Sequence, residues 1–379
     1  MTNDKIYVTQ PFLPPLEDFL PLVEEIWASG YLTNGGPLHQ RLENALAEYL
    51  GVEHLALFNN GTIALITALQ ALDLKGEVIT TPFSFVATTN ALIWNKNTPV
   101  FVDIDPVTAN LDPTKIEAAI TDKTTAILPV HCYGNPCDME AIREIADRRG
   151  LKVVYDAAHA FGVQNDDGSV LQRGDLSTLS LHATKVFNTF EGGAVICRTA
   201  EMKQHINELK NFGIVDETTI KVAGSNGKMS EIHAAMGLAQ LHHIDACIAR
   251  RGEVDAAYRT ALADIPGLAP LPKPNQTISN YAYFPISVTK DYPLSRDEIY
   301  DALRKENILT RRYFYPLLST LPMYADLPSA DPANLPVATE IANQVLCLPI
   351  FPAMADGDVT RIIEALRAPL QRTWHAAAE

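Results

Sequence analysis

The chain has 379 residues, with 30 Lys and Arg against 45 Asp and Glu, a formal net charge of −15 and 47% hydrophobic residues. At roughly 150 residues per domain this length suggests two or three domains, and the apolar content excludes disordered and fibrous classes. The acidic balance excludes a broad polyanion-binding face, which needs clustered Lys and Arg, so no nucleic-acid partner is expected; a local pocket for one phosphorylated ligand stays open. Five cysteines and no basic-then-apolar stretch in residues 1–20 lead to the expectation of a reducing, cytoplasmic setting. No run nears the roughly 18 apolar residues of a membrane span, so no membrane partner is expected either.

In chain order, short apolar runs at 55–58, 78–81, 100–102, 125–130, 151–155, 176–181 and 193–197 alternate with helical patterns at 38–50, 62–74, 113–120 and 137–149. Several runs are continuously hydrophobic, as strands buried on both faces of a mostly parallel sheet are, which predicts an α/β fold built on seven strands. Residues 231–263 read as one long helix, and the Pro-rich stretch 266–274 as a junction. A smaller C-terminal α/β domain is expected beyond it, with a strand at 281–288 and helices at 296–306, near 338–345 and at 359–370. The expected division is therefore 1–263 and 264–379.

Lys185 stands just past the end of the strand at 176–181. It reads either as a solvated turn residue or as an amine nucleophile that forms a Schiff base, and composition leaves both open. Asp156 and His159 follow the buried strand 151–155, at the strand ends where α/β sheets bind ligands, although an aspartate there also serves as a helix cap. Asn59-Asn60-Gly61-Thr62 opens the helix at 62–74, whose free N–H groups and dipole make an anion site; Asn-Gly is also ordinary turn chemistry. A phosphate cup, a strand-end Asp, an aromatic loop at 82–88 and a strand-end Lys together form the set that a pyridoxal phosphate site requires. The lysine holds the cofactor aldehyde and shuttles protons, the carboxylate keeps the pyridine nitrogen protonated, and an aromatic supports the ring.

The motifs Leu32-Thr33-Asn34-Gly35-Gly36-Pro37, Asn60-Gly61-Thr62, Thr81-Pro82-Phe83-Ser84-Phe85-Val86-Ala87-Thr88, Asp156-Ala157-Ala158-His159-Ala160, Ser180-Leu181-His182-Ala183-Thr184-Lys185 and Asn226-Gly227-Lys228-Met229 resemble those of the DegT family. These are sugar aminotransferases among the fold-type I pyridoxal phosphate enzymes, and the resemblance runs over residues 7–372. It implies a large domain with a seven-stranded mostly parallel sheet and a small C-terminal domain. It further implies that Lys185 binds the cofactor aldehyde, Asp156 pairs with the pyridine nitrogen, His159 bonds the ring hydroxyl, and Phe85 stacks on the ring. Gly61, Thr62 and Ser180 would hold the phosphate, and Asn226 would reach it from the other subunit of a homodimer. Thr33 is an expected substrate contact by the same resemblance. This chain has His159 where many relatives have Gln, Tyr155 where many have Glu, and Phe85 where some have Trp.

The run Arg311, Arg312, Tyr313, Tyr315 reads either as a grip on a sugar diphosphate or as a solvated edge strand, and both readings stand. His131, Cys132 and Cys137 lack a second pair at zinc spacing, so no metal is expected. The family resemblance implies transamination of a nucleotide-linked 4-keto-6-deoxy sugar, with thymidine favoured as the nucleoside and glutamate as donor; a 3-aminotransferase is the alternative. Lys185 argues against the related dehydratases, which carry His at that position. A cofactor-binding DNA regulator would need a basic helix-turn-helix segment, which this acidic sequence does not show.

Overall fold

The computed structural model describes residues 5–273 and 277–377, so the last residue of the Pro-rich stretch, Pro274, lies outside the described residues. Seven strands make the central sheet: β1 His54–Phe58, β2 Glu77–Thr80, β3 Thr98–Phe101, β4 Thr124–Leu128, β5 Lys152–Asp156, β6 Leu176–Ser180 and β7 Gly193–Cys197. Their spatial order is β1-β7-β6-β5-β4-β2-β3. Only β7 runs antiparallel to its neighbours.

The unbroken apolar runs have a simple cause. Along β1, Leu55 and Leu57 pack on one face against Leu38, Leu42 and Leu46 of the helix Pro37–Leu50. Ala56 and Phe58 pack on the other face against Ala64, Leu65 and Ala68 of the helix Gly61–Ala71. Both faces of the strand are dry, so both sets of alternate residues are hydrophobic.

Leu268–Pro270, Phe284–Val288 and Val345–Leu348 form a second, antiparallel sheet of three strands. It shares a core with the helices Ile244–Leu262, Arg296–Lys305 and Asp356–Ala377. Ile6–Tyr7 pairs with Ile308–Leu309, which ties the N-terminal segment to this C-terminal part.

Several elements differ from the sequence-based expectation. The expected helix at 231–263 is two helices, Glu231–Leu241 and Ile244–Leu262, broken at His242 and His243. His243 Nε2 lies 2.7 Å from Asp18 Oδ2 on the helix Leu16–Ser29, a tertiary contact that a local pattern does not contain. The helix near 338–345 ends at Gln344, and Val345–Leu348 is a strand instead; four apolar residues carry no period that separates the two. The helices Leu16–Ser29, Ala87–Trp94 and Ala200–Leu209 were not read from the sequence.

Candidate active site

The carboxyl ends of β1, β2, β5 and β6 and the amino end of the antiparallel β7 meet along one sheet edge, where parallel sheets place ligands. Two close approaches bring the parts together. A Cβ on Gly61 would stand 2.8 Å from Ser180 Cβ, and one on Gly193 would stand 2.6 Å from the Asn60 carbonyl carbon. The start of the helix Gly61–Ala71 is thereby pressed against the ends of β6 and β7. The result is a cleft of about 330 Å³ whose walls include Gly61, Thr62, Phe85, Asp156, Ser180 and Lys185.

Asn60 caps the helix: its Oδ1 accepts the N–H of Ile63 at 2.8 Å. The N–H groups of Gly61 and Thr62 come before that capped position, so they are left facing the cleft as donors for an anion.

Asp156 is 7% exposed at the end of β5. Burial pushes its carboxyl above the usual range. Three features oppose this: the Thr88 hydroxyl donating to Oδ2 at 2.7 Å, the Ala158 N–H donating to Oδ1 at 3.1 Å, and the positive charge of Lys185.

Lys185 sits on a turn anchored by its own N–H to His182 O at 2.9 Å, and by Leu181 N–H to Gly192 O at 2.8 Å. Its ammonium makes no hydrogen bond or ion pair with the described residues, and desolvation lowers its pKa to about 8 against the pull of Asp156. Lys210 is also brought to about 8 by burial, but its Nζ donates to Leu57 O at 3.0 Å and lies 4.0 Å from Glu43, away from the cleft. A lowered pKa is therefore shared by two lysines; of the two, only Lys185 stands unbonded inside the cleft.

His159 lies on the wall opposite, stacked on Phe314 with ring centres 5.9 Å apart and edge-on to Tyr283 at 4.9 Å. Its Nδ1 is buried without a partner, and desolvation holds the imidazole well below its ordinary pKa, hence neutral. Phe85 is 58% exposed, with its ring on the cleft wall. The aromatic wall of Tyr283, Tyr313 and Phe314 had no local sequence signal beyond Tyr313, because these side chains come from the C-terminal part and reach the site only through the fold.

The remaining expected residues are placed as follows. Tyr313 lines the cleft, whereas Arg312 and Tyr315 do not. Arg312 pairs with Asp297 at 2.7 Å and covers the Tyr300 ring at 4.2 Å, and Tyr315 lies under Arg296 at 4.6 Å. Thr33 and Asn226 stand outside the cleft of their own chain, with Asn226 exposed in a segment that bridges to Asn211 and is fixed by Asn59 N–H to Gly227 O at 2.8 Å. His131 and Cys137 are core residues: the Cys137 N–H donates to His131 Nδ1 at 3.1 Å, and the His131 ring stacks on Tyr155 at 4.7 Å.

The donor set fits pyridoxal phosphate. Two free amides and the Ser180 hydroxyl suit its phosphate, an unbonded amine suits its aldehyde, and a buried carboxylate suits its ring nitrogen. The fold and this edge define a fold-type I pyridoxal phosphate enzyme. The model of the DegT/DnrJ/EryC1/StrS aminotransferase family matches residues 16–367, and the chain belongs to that family. It is 56% identical over 362 residues to the dTDP-4-amino-4,6-dideoxy-D-glucose transaminase of Shigella dysenteriae, covering 96% of this chain and 98% of that one. A crystal structure of DesI in the presence of its TDP-sugar product is similar with a TM-score of 0.93 and 36% identity, covering 99% of this chain and 95% of that one. NtdA from Bacillus subtilis with bound cofactor PMP is similar with a TM-score of 0.86 and 29% identity, over 94% and 82% of the two chains.

Proposed function

We propose that this enzyme moves the amino group of L-glutamate to C4 of dTDP-4-keto-6-deoxy-D-glucose, giving the 4-amino-4,6-dideoxy sugar nucleotide and 2-oxoglutarate. The observation that carries the reaction type is the unbonded Lys185 amine in the same cleft as the buried Asp156. The sugar is taken from the likeness to the Shigella transaminase. When bound, the cofactor supplies an electron-accepting ring and the carbonyl that carries nitrogen from one substrate to the other.

The chain's own groups then have distinct tasks. Lys185, whose pKa burial lowers to about 8, would take a proton from the donor carbon and pass it to the cofactor carbon that bears the transferred nitrogen. Asp156 holds positive charge on the ring nitrogen, and neutral His159 offers a hydrogen bond that does not titrate away at working pH. The first-turn amides of Gly61 and Thr62, with Ser180, grip the phosphate, while Phe85 covers one ring face. One cleft serves glutamate and keto sugar in turn. To test the assignment, purified enzyme is incubated with cofactor, nitrogen-15 glutamate and a panel of keto sugar nucleotides. The label should appear at C4 of the thymidine-linked sugar; transfer to C3, or to no sugar in the panel, overturns the substrate assignment.

A homodimer with shared sites is part of the proposal, with a division of each chain near residue 263 into a cofactor domain and a smaller one, and a cytoplasmic location. No helix among the described residues is long and apolar enough to cross a membrane. Asn226 is exposed outside its own cleft, which suits a side chain that completes the neighbour's phosphate grip. Mixing inactive Lys185→Ala with impaired Asn226→Ala, under conditions that exchange subunits, should restore activity towards half of wild type per hybrid dimer. One hybrid site then combines an intact Lys185 with an intact Asn226. Exchange seen by native mass spectrometry without recovered activity overturns the shared site.

A further inference from the structure

Behind Asp156 lies a short hydrogen-bonded chain that none of the expected roles includes. Ser84 and Thr88 sit four residues apart where the loop after β2 enters the helix Ala87–Trp94, and both are buried. Ser84 Oγ is 2.8 Å from Thr88 Oγ1, and Thr88 Oγ1 is 2.7 Å from Asp156 Oδ2.

We propose that Thr88, itself held by Ser84, is a positioning residue of the transamination, keeping Asp156 ionised and aimed at the cofactor ring. This rests on the role given above to Asp156. The direction of the chain follows from proton counting. An ionised carboxylate only accepts, so the single proton of the Thr88 hydroxyl goes to Asp156. Thr88 Oγ1 is then left as an acceptor, and the Ser84 hydroxyl donates to it. Every bond in the row points its proton towards the carboxylate, and each polarises the next. A proton on Oδ2 of Asp156 would bring a second donor to the same spot and force the row to reverse.

The alternative is that Thr88 only fills space. Against it stands the shortage of other support. The carboxylate's other neighbouring groups are the Ala158 N–H on Oδ1 and the charge of Lys185, while burial pushes its proton affinity up. His159, also nearby, is neutral and adds no charge. Thr88 is thus the only side-chain hydroxyl bonded to Asp156 among the described residues. The β-branch of threonine restricts χ1, which keeps the hydroxyl on this target.

The test uses Thr88→Val, which keeps the shape and removes the hydroxyl, with Thr88→Ser and Ser84→Ala beside it. A hydrogen bond to a charged group predicts that Thr88→Val lowers kcat roughly tenfold to a hundredfold and weakens cofactor binding to the apoenzyme, while both KM values move by less than about threefold. Cofactor affinity, read from an absorbance titration, needs no turnover. Thr88→Ser should recover most of the loss, and Ser84→Ala should cost less than Thr88→Val. The deciding measurement is the double variant: in an Asp156→Asn background, Thr88→Val should have almost no further effect on kcat or on cofactor affinity. Equal cost in both backgrounds, or an unchanged kcat and cofactor affinity in Thr88→Val, overturns the proposal. If Asp156→Asn itself turns over like wild type, the reading of Asp156 has failed and this inference falls with it. If only Thr88→Val is silent, the inference alone falls. Should Thr88→Val fail to fold, Ser84→Ala with the same background comparison decides between coupling and independence.

Discussion

Replacing Lys185 with Ala should abolish transamination, with the residual rate at least a thousandfold below wild type, because one amine performs both the covalent and the proton-transfer tasks. Desolvation lowers the Lys185 pKa to about 8, so far more of its amine is free base near pH 8 than for an ordinary lysine. The cleft walls create that difference by desolvation, and Ala removes the amine together with it. The proposed phosphate grip would use the backbone amides of Gly61 and Thr62 and the hydroxyl of Ser180, none of which depends on Lys185, so the variant should still bind cofactor. Equilibrium dialysis and a single-turnover assay check the two halves separately. Retained cofactor with no amino transfer fits the account; measurable turnover in Lys185→Ala refutes it.

Asp156→Asn should leave the fold intact and cut turnover by roughly a hundredfold to ten-thousandfold, with the loss in kcat rather than KM. The amide has nearly the shape of the carboxylate, but its single oxygen can accept from only one of the Thr88 hydroxyl and the Ala158 N–H, which bond different oxygens of Asp156. It carries no negative charge, so it does not hold a proton on the ring nitrogen, and the ring becomes a poor acceptor of electrons. His159→Gln should be far milder, since glutamine also offers a neutral N–H. Steady-state kinetics against both substrates distinguish these outcomes. Near wild-type turnover in Asp156→Asn contradicts the pairing of this carboxylate with the ring.

Much of this arrangement is legible in the sequence because its parts are local. Several strands of the central sheet appear as apolar runs, since burial on both faces leaves β1, for example, no polar position from Leu55 to Phe58. Asp156, Gly61 and Lys185 each lie at or just beyond a strand end, so chain position alone puts them on one edge. What escapes the sequence is whatever depends on distant segments. The break between the helices Glu231–Leu241 and Ile244–Leu262 falls where His243 contacts Asp18, 225 residues away. Phe314 and Tyr283 meet His159 only because the three-stranded sheet docks beside the cleft. Arg312 shows the opposite case: a plausible ligand grip by composition, it is committed to Asp297 and Tyr300 outside the cleft wall.

Borohydride reduction of the holoenzyme, followed by peptide mapping, tests the central claim most directly, because it asks which of several lysines holds the cofactor. Lys185 and Lys210 are both brought by burial to a pKa of about 8, yet only Lys185 stands unbonded in the cleft. The account predicts that the reduced cofactor is recovered on Lys185 alone; recovery on Lys210 or any other lysine contradicts it.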